Sequence, residues 1–121
     1  MANSKPSRTL DDVSTLPSHP QWEFEPETNT QAHWTRKDVP VDELAEDSKA
    51  FGPEDYEEIG SYYHAYSMTL SHESGEKWSV SFTSPNPQRG MGDYDNRFSV
   101  TGVSLDDALK HVKKTMEQKS G

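Results

Sequence analysis

The predicted fold of this chain is decided by one stretch: Phe98-Ser-Val-Thr-Gly-Val-Ser-Leu-Asp-Asp-Ala-Leu109. Its first residues alternate apolar and polar side chains, which is typical of a half-buried strand. Gly102 is expected to end that strand. Ser104 can accept a hydrogen bond from a free backbone N–H in the first turn of a helix. The stretch therefore predicts a strand that leads directly into a capped helix.

The helix is predicted to cover residues 104–118. Asp106 and Asp107 lie in its first turn, where the helix dipole favours negative charge. One apolar stripe recurs at helical spacing. It consists of Leu105, Ala108, Leu109, Val112 and Met116. A helix with a single apolar stripe is stable only when the stripe is buried against another element, and the strands before it are the natural cover.

Three alternating segments upstream predict an antiparallel meander: residues 62–70, residues 78–82, and the strand that contains Phe98. Two further aromatic segments between residues 21 and 37 predict a hairpin that extends this sheet. The candidate buried residues of the hairpin are Trp22, Phe24, Ala32 and Trp34. We therefore expect an α+β fold, an antiparallel sheet of three to five strands covered on one face by the C-terminal amphipathic helix.

Composition limits how much of the chain can fold. Hydrophobic residues make up 30% of the 121 residues, and the mean hydropathy is −1.02. Residues 1–20 are polar and rich in proline, so we expect a disordered tail there and a single small domain over residues 21–121. Leu10, Val13 and Leu16 recur three apart, so a short helix forming on a partner is the alternative for the tail. The chain contains no cysteine, which excludes disulfides and thiolate chemistry.

The net charge of −9 lies entirely in the first half of the chain. Residues 60–121 carry equal numbers of acidic and basic side chains, whereas residues 38–58 carry nine acidic side chains and one lysine. An acidic helical segment is predicted at 38–59, with one helix after Pro40 and a second beginning at Pro53. Such a charge repels nucleic acid and attracts basic partners.

The candidate partner-binding residues lie in the acidic segment and in the long Gly- and Pro-rich loop over residues 85–96, since loops of that length are commonly functional. They are Asp42, Glu43, Glu46, Asp47, Glu54, Asp55, Glu57, Glu58, Arg89, Met91 and Tyr94.

No stretch predicts catalysis, a metal site or a cofactor. The five histidines form neither an HxH pair nor an HExxH helix. Asp93-Tyr-Asp95-Asn96 has the alternating oxygens of a calcium loop but lacks the Gly and the distant Glu of that motif. Basic residues are sparse around the strand aromatics, so core packing explains those aromatics better than base stacking does. We expect no direct binding of nucleic acid.

The order strand, turn, strand, Ser84-Pro85, loop, strand, followed by Gly102-Val-Ser104-Leu-Asp-Asp107-Ala108, resembles the core of HicB-like antitoxins. The resemblance covers about residues 62–117. It implies a β-β-β-α module that neutralises a protein. The chain departs from that family in its long second-to-third connection and its acidic N-terminal half. The resemblance transfers no catalytic residue.

These observations predict a non-enzymatic, acidic protein-binding module that inhibits or regulates a protein partner with a basic surface, either antitoxin-like or a phage-type inhibitor that imitates the charge of DNA. Two alternatives stay open: a small enzyme with a dispersed His/carboxylate site, and a viral structural or assembly component. A homo-oligomer is also left open. No apolar run could span a membrane or serve as a signal peptide, so the expected location is the cytoplasm, of the host if the protein is viral.

Overall fold

The structure, a computed structural model, describes residues 6–37, 39–48, 51–58, 64–85 and 94–120. Within these ranges five strands form one antiparallel sheet in chain order. The strands are β1 (Glu23–Thr28), β2 (Gln31–Arg36), β3 (Tyr66–Ser74), β4 (Lys77–Pro85) and β5 (Tyr94–Val103). The helices are α1 (Val41–Ser48), α2 (Pro53–Glu58) and α3 (Leu105–Gln118). The predicted α+β class is confirmed, and the hairpin β1–β2 joins the meander through β2 and β3.

Helix α3 begins as the sequence predicts. Ser104 has an extended backbone, and its hydroxyl accepts a hydrogen bond from the backbone N–H of Asp107 at 3.2 Å. Such a cap typically contributes about 1 kcal/mol. The apolar stripe faces the sheet, with Leu109 partly buried and the other four members buried. Local cap, charge and periodicity agree here, which explains why this element could be predicted from sequence.

The strand register places the large apolar side chains on one face of the sheet. Trp34 of β2 lies opposite Met68 of β3, which lies opposite Phe82 of β4. Trp34 and Met68 are fully buried, and Phe82 is nearly so. Helix α3 packs on this face over β3, β4 and β5. The alternation expected for β3 and β4 is therefore observed, because every second residue is buried from Tyr66 to Leu70 and from Trp78 to Ser84.

The N-terminal segment, residues 6–22, lies on the same face beside α3. Arg8 pairs with Asp106, in the first turn of α3, at 2.9 Å. The indole N–H of Trp22 donates to the hydroxyl of Ser120, just beyond the last turn of α3, at 3.0 Å. Leu10 is buried in the core, and the indole N–H of Trp34 donates to the carbonyl of Pro17 at 3.0 Å. Composition predicts disorder for residues 1–20, whereas these contacts give the described part of that segment a defined path over β2.

The strand bounds differ from those predicted: β4 and β5 are longer, and β3 has the bounds Tyr66–Ser74 rather than residues 62–70. β3 continues to Ser74, so only Gly75 and Glu76 form the turn to β4. β1 includes Pro26. Proline has no N–H to donate, and an edge strand tolerates it because one side of that strand is unpaired. β5 begins at Tyr94 rather than at Phe98.

Gly102 does not end its strand, contrary to the prediction. β5 has one more residue than β4 between the pairs Trp78–Val103 and Val80–Val100, so Gly102 lies in a β-bulge. Its φ of 69° is in the left-handed region, where glycine is favoured because it has no Cβ. The chain therefore turns toward α3 through a bulge, and β5 pairs as far as Val103.

Two phenylalanines lie nearer the surface than the sequence suggested. Phe24 is 37% exposed and Phe98 is 36% exposed. Among the described strands each lies on an edge strand, where one flank of the side chain has no neighbouring strand. Phe24 packs on Trp34, with ring centroids 5.2 Å apart, and Phe98 packs near His111 at 6.3 Å. The prediction that Phe24 is buried was wrong, whereas Trp22, Ala32 and Trp34 are buried.

Candidate protein-binding surface

Helices α1 and α2 form the acidic unit, which we define as residues 39–48 and 51–58. It is attached to the core by Val39, Leu44 and Tyr56, each at most 1% exposed. The backbone N–H of Val39 donates to the carbonyl of His64 at 2.8 Å, which prolongs the pairing of β2 with β3. Short helices are marginal alone and depend on tertiary support. These three side chains supply that support.

Arg36, the last residue of β2, joins the acidic unit to the rest of the fold. It is 5% exposed. Its guanidinium donates to a carboxylate oxygen of Glu43 in α1 at 2.6 Å and to the carbonyl of Lys119 at the end of α3 at 2.5 Å. It also lies 6.0 Å from the ring centroid of Tyr66. A positive group is favoured at the C-terminal end of a helix, so one side chain stabilises three elements.

The predicted acidic residues divide into two groups. Glu43 and Asp55 have internal partners. The first pairs with Arg36, and the second accepts a hydrogen bond at 2.8 Å from the backbone N–H of Gly52, ahead of α2. The second group is exposed to solvent on α1 and α2. It consists of Asp42, Glu46, Glu54 and Glu57. Asp47 and Glu58 lie on the same two helices, and the structure describes only their backbone.

Of the three predicted loop residues, only Tyr94 belongs to the part of the chain that the structure describes. Arg89 and Met91 lie outside the described residues. Tyr94, predicted to project from the loop, is the first residue of β5 and lies opposite Pro85 of β4. Its place in the ladder follows from strand pairing that extends four residues further toward the N-terminus than the alternation around Phe98 indicated. The candidate surface is therefore argued from the acidic unit alone.

The opposite face of the sheet is polar. One cross-strand row runs from Glu25 through His33, Thr69 and Ser81 to Ser99. The two ring nitrogens of His33 lie 3.0 Å from the hydroxyl of Thr69 and 3.1 Å from the hydroxyl of Ser67.

A shallow concavity of about 410 Å³ lies on this polar face of the sheet. It is lined by His33, Thr35, Ala65, Ser67 and Thr83. Small neutral side chains dominate this lining, so its chemistry is that of hydrogen bonding rather than charge.

His64 and His72 each make a structural contact. A ring N–H of His64 donates to the carbonyl of Tyr56 in α2 at 2.8 Å, and a ring N–H of His72 donates to the carbonyl of Gly75 at 2.8 Å. In the part of the chain that the structure describes, no three His, Asp or Glu side chains come together as metal ligands. No helix in that part is long and apolar enough to cross a membrane.

Sequence reasoning missed Arg36. The signal was present, since Ala32, Trp34 and Arg36 share one side of a strand by simple alternation, and Arg36 immediately precedes the acidic segment. A lone basic residue that continues a buried register is a candidate for a paired internal charge. The contacts of His33 with Ser67 and Thr69, in contrast, depend on the alignment of β2 with β3, which the sequence does not specify.

Comparison with protein families, with curated proteins and with solved structures found no match. The resemblance to HicB-like antitoxins stays a prediction, and a function for this chain is argued from its own geometry.

Proposed function

We propose that this chain is a non-enzymatic protein-binding module whose acidic unit binds a basic surface on a protein partner. The observation that carries the proposal is that Asp42, Glu46, Glu54 and Glu57 are exposed on helices that Leu44 and Tyr56 fix to the core. Acidic side chains on a disordered tether would need ordering on binding, and that cost weakens association. A pre-ordered face avoids it.

The charges of the acidic unit also exceed what its own structure requires. Glu43 pairs internally and Asp55 caps α2. Glu46 lies in the C-terminal half of α1, where the helix dipole disfavours negative charge, and neither α1 nor α2 has a basic residue in its last turn. Charges that do not stabilise their own helix are candidates for function. They supply electrostatic steering toward a partner of opposite sign, which salt weakens.

The proposal is tested by capture from a lysate of the source cell with two matched variants. The first replaces the exposed acids of the acidic unit: Asp42→Asn, Glu46→Gln, Glu54→Gln and Glu57→Gln. The control removes the same number of charges elsewhere: Glu23→Gln, Glu25→Gln, Glu27→Gln and Glu117→Gln. All eight side chains are exposed. We expect a stoichiometric partner that the intact chain and the control retain and the first variant loses.

Equal retention by both variants, or no stoichiometric partner for the intact chain, would contradict the proposal. A more specific form of this proposal is inhibition by DNA mimicry. It predicts that duplex DNA displaces the chain from the captured protein. Failure of DNA to compete would remove mimicry and leave protein binding intact. The resemblance to antitoxins, which implies neutralisation of a protein, agrees with either form.

A second candidate function rests on the polar face. Ser67 lies within hydrogen-bond distance of His33 at 3.1 Å in a concavity, as in nucleophile–base pairs. The other ring nitrogen of His33 lies against a hydroxyl of Thr69 rather than a carboxylate, so the orienting acid of a hydrolase is replaced by a neutral group. Turnover of a chromogenic ester that Ser67→Ala abolishes would favour this enzyme; equal rates with and without Ser67 would exclude it.

A further inference from the structure

The acidic unit is inserted between two strands that pair with each other. The ladder between β2 and β3 extends from the pair Gln31–Ser71 to the pair Arg36–Tyr66, and the unit lies in the connection between Arg36 and Tyr66. The pairing of these strands therefore does not include α1 or α2. Because no strand pairing has to break, both helices can leave the core while the sheet stays intact.

The polar contacts that hold the unit converge on His64 and Arg36. The backbone carbonyl of His64 accepts a hydrogen bond from the N–H of Val39, and its ring N–H donates to the carbonyl of Tyr56, each at 2.8 Å. The guanidinium of Arg36 donates to Glu43 at 2.6 Å. His64 lies just ahead of β3, and Arg36 ends β2. Both helices are therefore held from the same end of one strand pair, so they are expected to separate from the sheet together.

Tyr56 is the largest side chain that anchors the unit, and its hydroxyl is buried without a hydrogen bond. The residue is 0% exposed, and its ring meets the ring of Phe51 edge-on, with centroids 6.4 Å apart. No hydrogen-bond partner of the hydroxyl oxygen is found in the part of the chain that the structure describes. In water a phenol hydroxyl is hydrogen-bonded, so its burial here disfavours the docked position of α2. The residue that docks α2 thus carries a group that undocking returns to water.

The charges of the unit also lower the stability of its docked form. Each of its two helices carries four acidic residues and no basic one. Like charges on one short helix, and on two neighbouring short helices, repel each other. Helix α3 differs, because it carries acidic residues and lysines together and buries four members of its apolar stripe. The acidic unit is therefore expected to be the less stable of the two regions.

We propose that the acidic unit opens as one body while the sheet and α3 stay folded, and that the Tyr56 hydroxyl sets the balance between the closed and the open form. The closed form is the native state and presents the acidic side chains on ordered helices. Opening removes that ordered face, so a partner that binds the face stabilises the closed form. This last consequence rests on the function proposed above, whereas the opening itself is a property of the chain alone.

The test is amide hydrogen exchange of the intact chain, followed by NMR at several urea concentrations below the unfolding transition. We expect the hydrogen-bonded amides of α1 and α2 to share one opening equilibrium constant, about tenfold or more larger than that of the slowest amides of α3. That constant should rise with urea, but less steeply than the constant for α3, because opening exposes only part of the surface that unfolding exposes. A shared value with a urea dependence identifies opening as one body.

Three variants separate the hydroxyl, the ring and the rest of the fold. Tyr56→Phe keeps the ring and removes the buried hydroxyl, so exchange in α1 and α2 should slow about tenfold. Tyr56→Leu also removes the ring that packs on Phe51, and exchange in these helices should accelerate. Val112→Ala, in the stripe of α3, is the control. It should accelerate exchange in α3 and leave α1 and α2 unchanged, because α3 stays folded when the unit opens.

Three results would overturn the proposal. The first is an equal opening constant for α1, α2 and α3, with Val112→Ala accelerating all of them, since the unit would then unfold only with the whole chain. The second is unequal exchange within α1 and α2 without a urea dependence, since each helix would then fray by itself. The third is faster exchange after Tyr56→Phe, since the hydroxyl would then stabilise the closed form. These measurements need no partner, so failure here is distinct from failure of the function proposed above.

Discussion

Helix α3 and the acidic unit both pack on the core, yet their charges have different explanations. In α3 the first turn carries Asp106 and Asp107 where the dipole favours them, and the Ser104 hydroxyl caps the helix. Beyond its first turn α3 carries three lysines and one glutamate, whereas beyond theirs α1 and α2 carry acidic residues and no basic one. The paired acids of α3 serve its own stability, whereas Glu46 and Glu57 lie beyond the first turns of α1 and α2, where the helix dipole no longer favours their charge. The contrast teaches that an element predicted confidently from sequence can be scaffold alone.

The largest expected effect on the free energy of unfolding comes from truncating one buried side chain in each of the two regions. Leu44→Ala in α1 and Val112→Ala in α3 each remove a side chain that is at most 1% exposed. We expect losses of about 2–4 kcal/mol for Leu44→Ala and about 1–3 kcal/mol for Val112→Ala in the free energy of unfolding, measured by urea denaturation. A loss below the error of the measurement for Leu44→Ala would show that the acidic unit is not anchored.

Removing the charge of Arg36 tests the junction between the two regions. Arg36→Met leaves Glu43 without its partner and removes a hydrogen bond to the end of α3. Because the Glu43 side chain is 31% exposed, solvent compensates part of the loss, and we expect a cost of about 1–3 kcal/mol in the free energy of unfolding. The double variant with Glu43→Gln should recover part of it. Additive losses in that double-mutant cycle would contradict a direct interaction.

The sharpest contrast is one chemical change with opposite signs. Asp107→Asn, in the first turn of α3, should lower the free energy of unfolding by about 0.3–1 kcal/mol, since the dipole favours the charge there. Glu46→Gln, in the C-terminal half of α1, should leave stability unchanged or raise it by about 0.3 kcal/mol. Thermal unfolding at low ionic strength measures both. If Glu46→Gln destabilised the fold as much as Asp107→Asn does, the charge of Glu46 would have a structural role.

The smallest expected effect is a pH dependence at the N-terminal segment. The backbone N–H and hydroxyl of Ser7 donate to Glu76, and these hydrogen bonds lower the pKa of that carboxyl below its ordinary value of 4.5. A lowered pKa means that the contact stabilises the fold above pH 4.5 and is lost as pH falls through the lowered pKa. Amide exchange of Ser7, followed by NMR, should accelerate in that acidic range. Glu76→Gln should remove this pH dependence.

Sequence predicted the local elements and missed the distant pairings. The Ser104 cap, the stripe of α3 and the start of α2 at Pro53 are each specified within a few residues, so pattern and propensity suffice. The burial of Leu10 and the role of Arg36 depend on contacts between elements far apart in the chain. Leu10 is bound through its backbone to Asn29 of the hairpin turn, and Arg36 reaches Lys119. Neither contact has a local signature in the sequence. For residues 1–20 composition was therefore the only guide, and it predicts a disordered tail.

The candidate surface was predicted only in part, because a run of acidic residues is a local signal and the pairing of its members is not. The acidic segment is visible as a run of charge, and its helices begin where Pro40 and Pro53 indicate. Which acids face solvent could not be read from the run, because the pairing of Glu43 with Arg36 depends on how α1 docks. Tyr94 was predicted to lie in a loop because the alternation that identifies β5 is clear only around Phe98. The pairing of β5 with β4 extends further, to the pair of Tyr94 with Pro85.

The most direct test of the proposed function is the affinity of the captured partner for three proteins, measured by titration calorimetry at two salt concentrations. These are the intact chain, the variant neutralised at Asp42, Glu46, Glu54 and Glu57, and the control neutralised at Glu23, Glu25, Glu27 and Glu117. Binding at the acidic unit predicts an affinity about tenfold or more weaker for the first variant, little change for the control, and a weaker salt dependence in the first variant alone. Equal affinities for the two variants would contradict it.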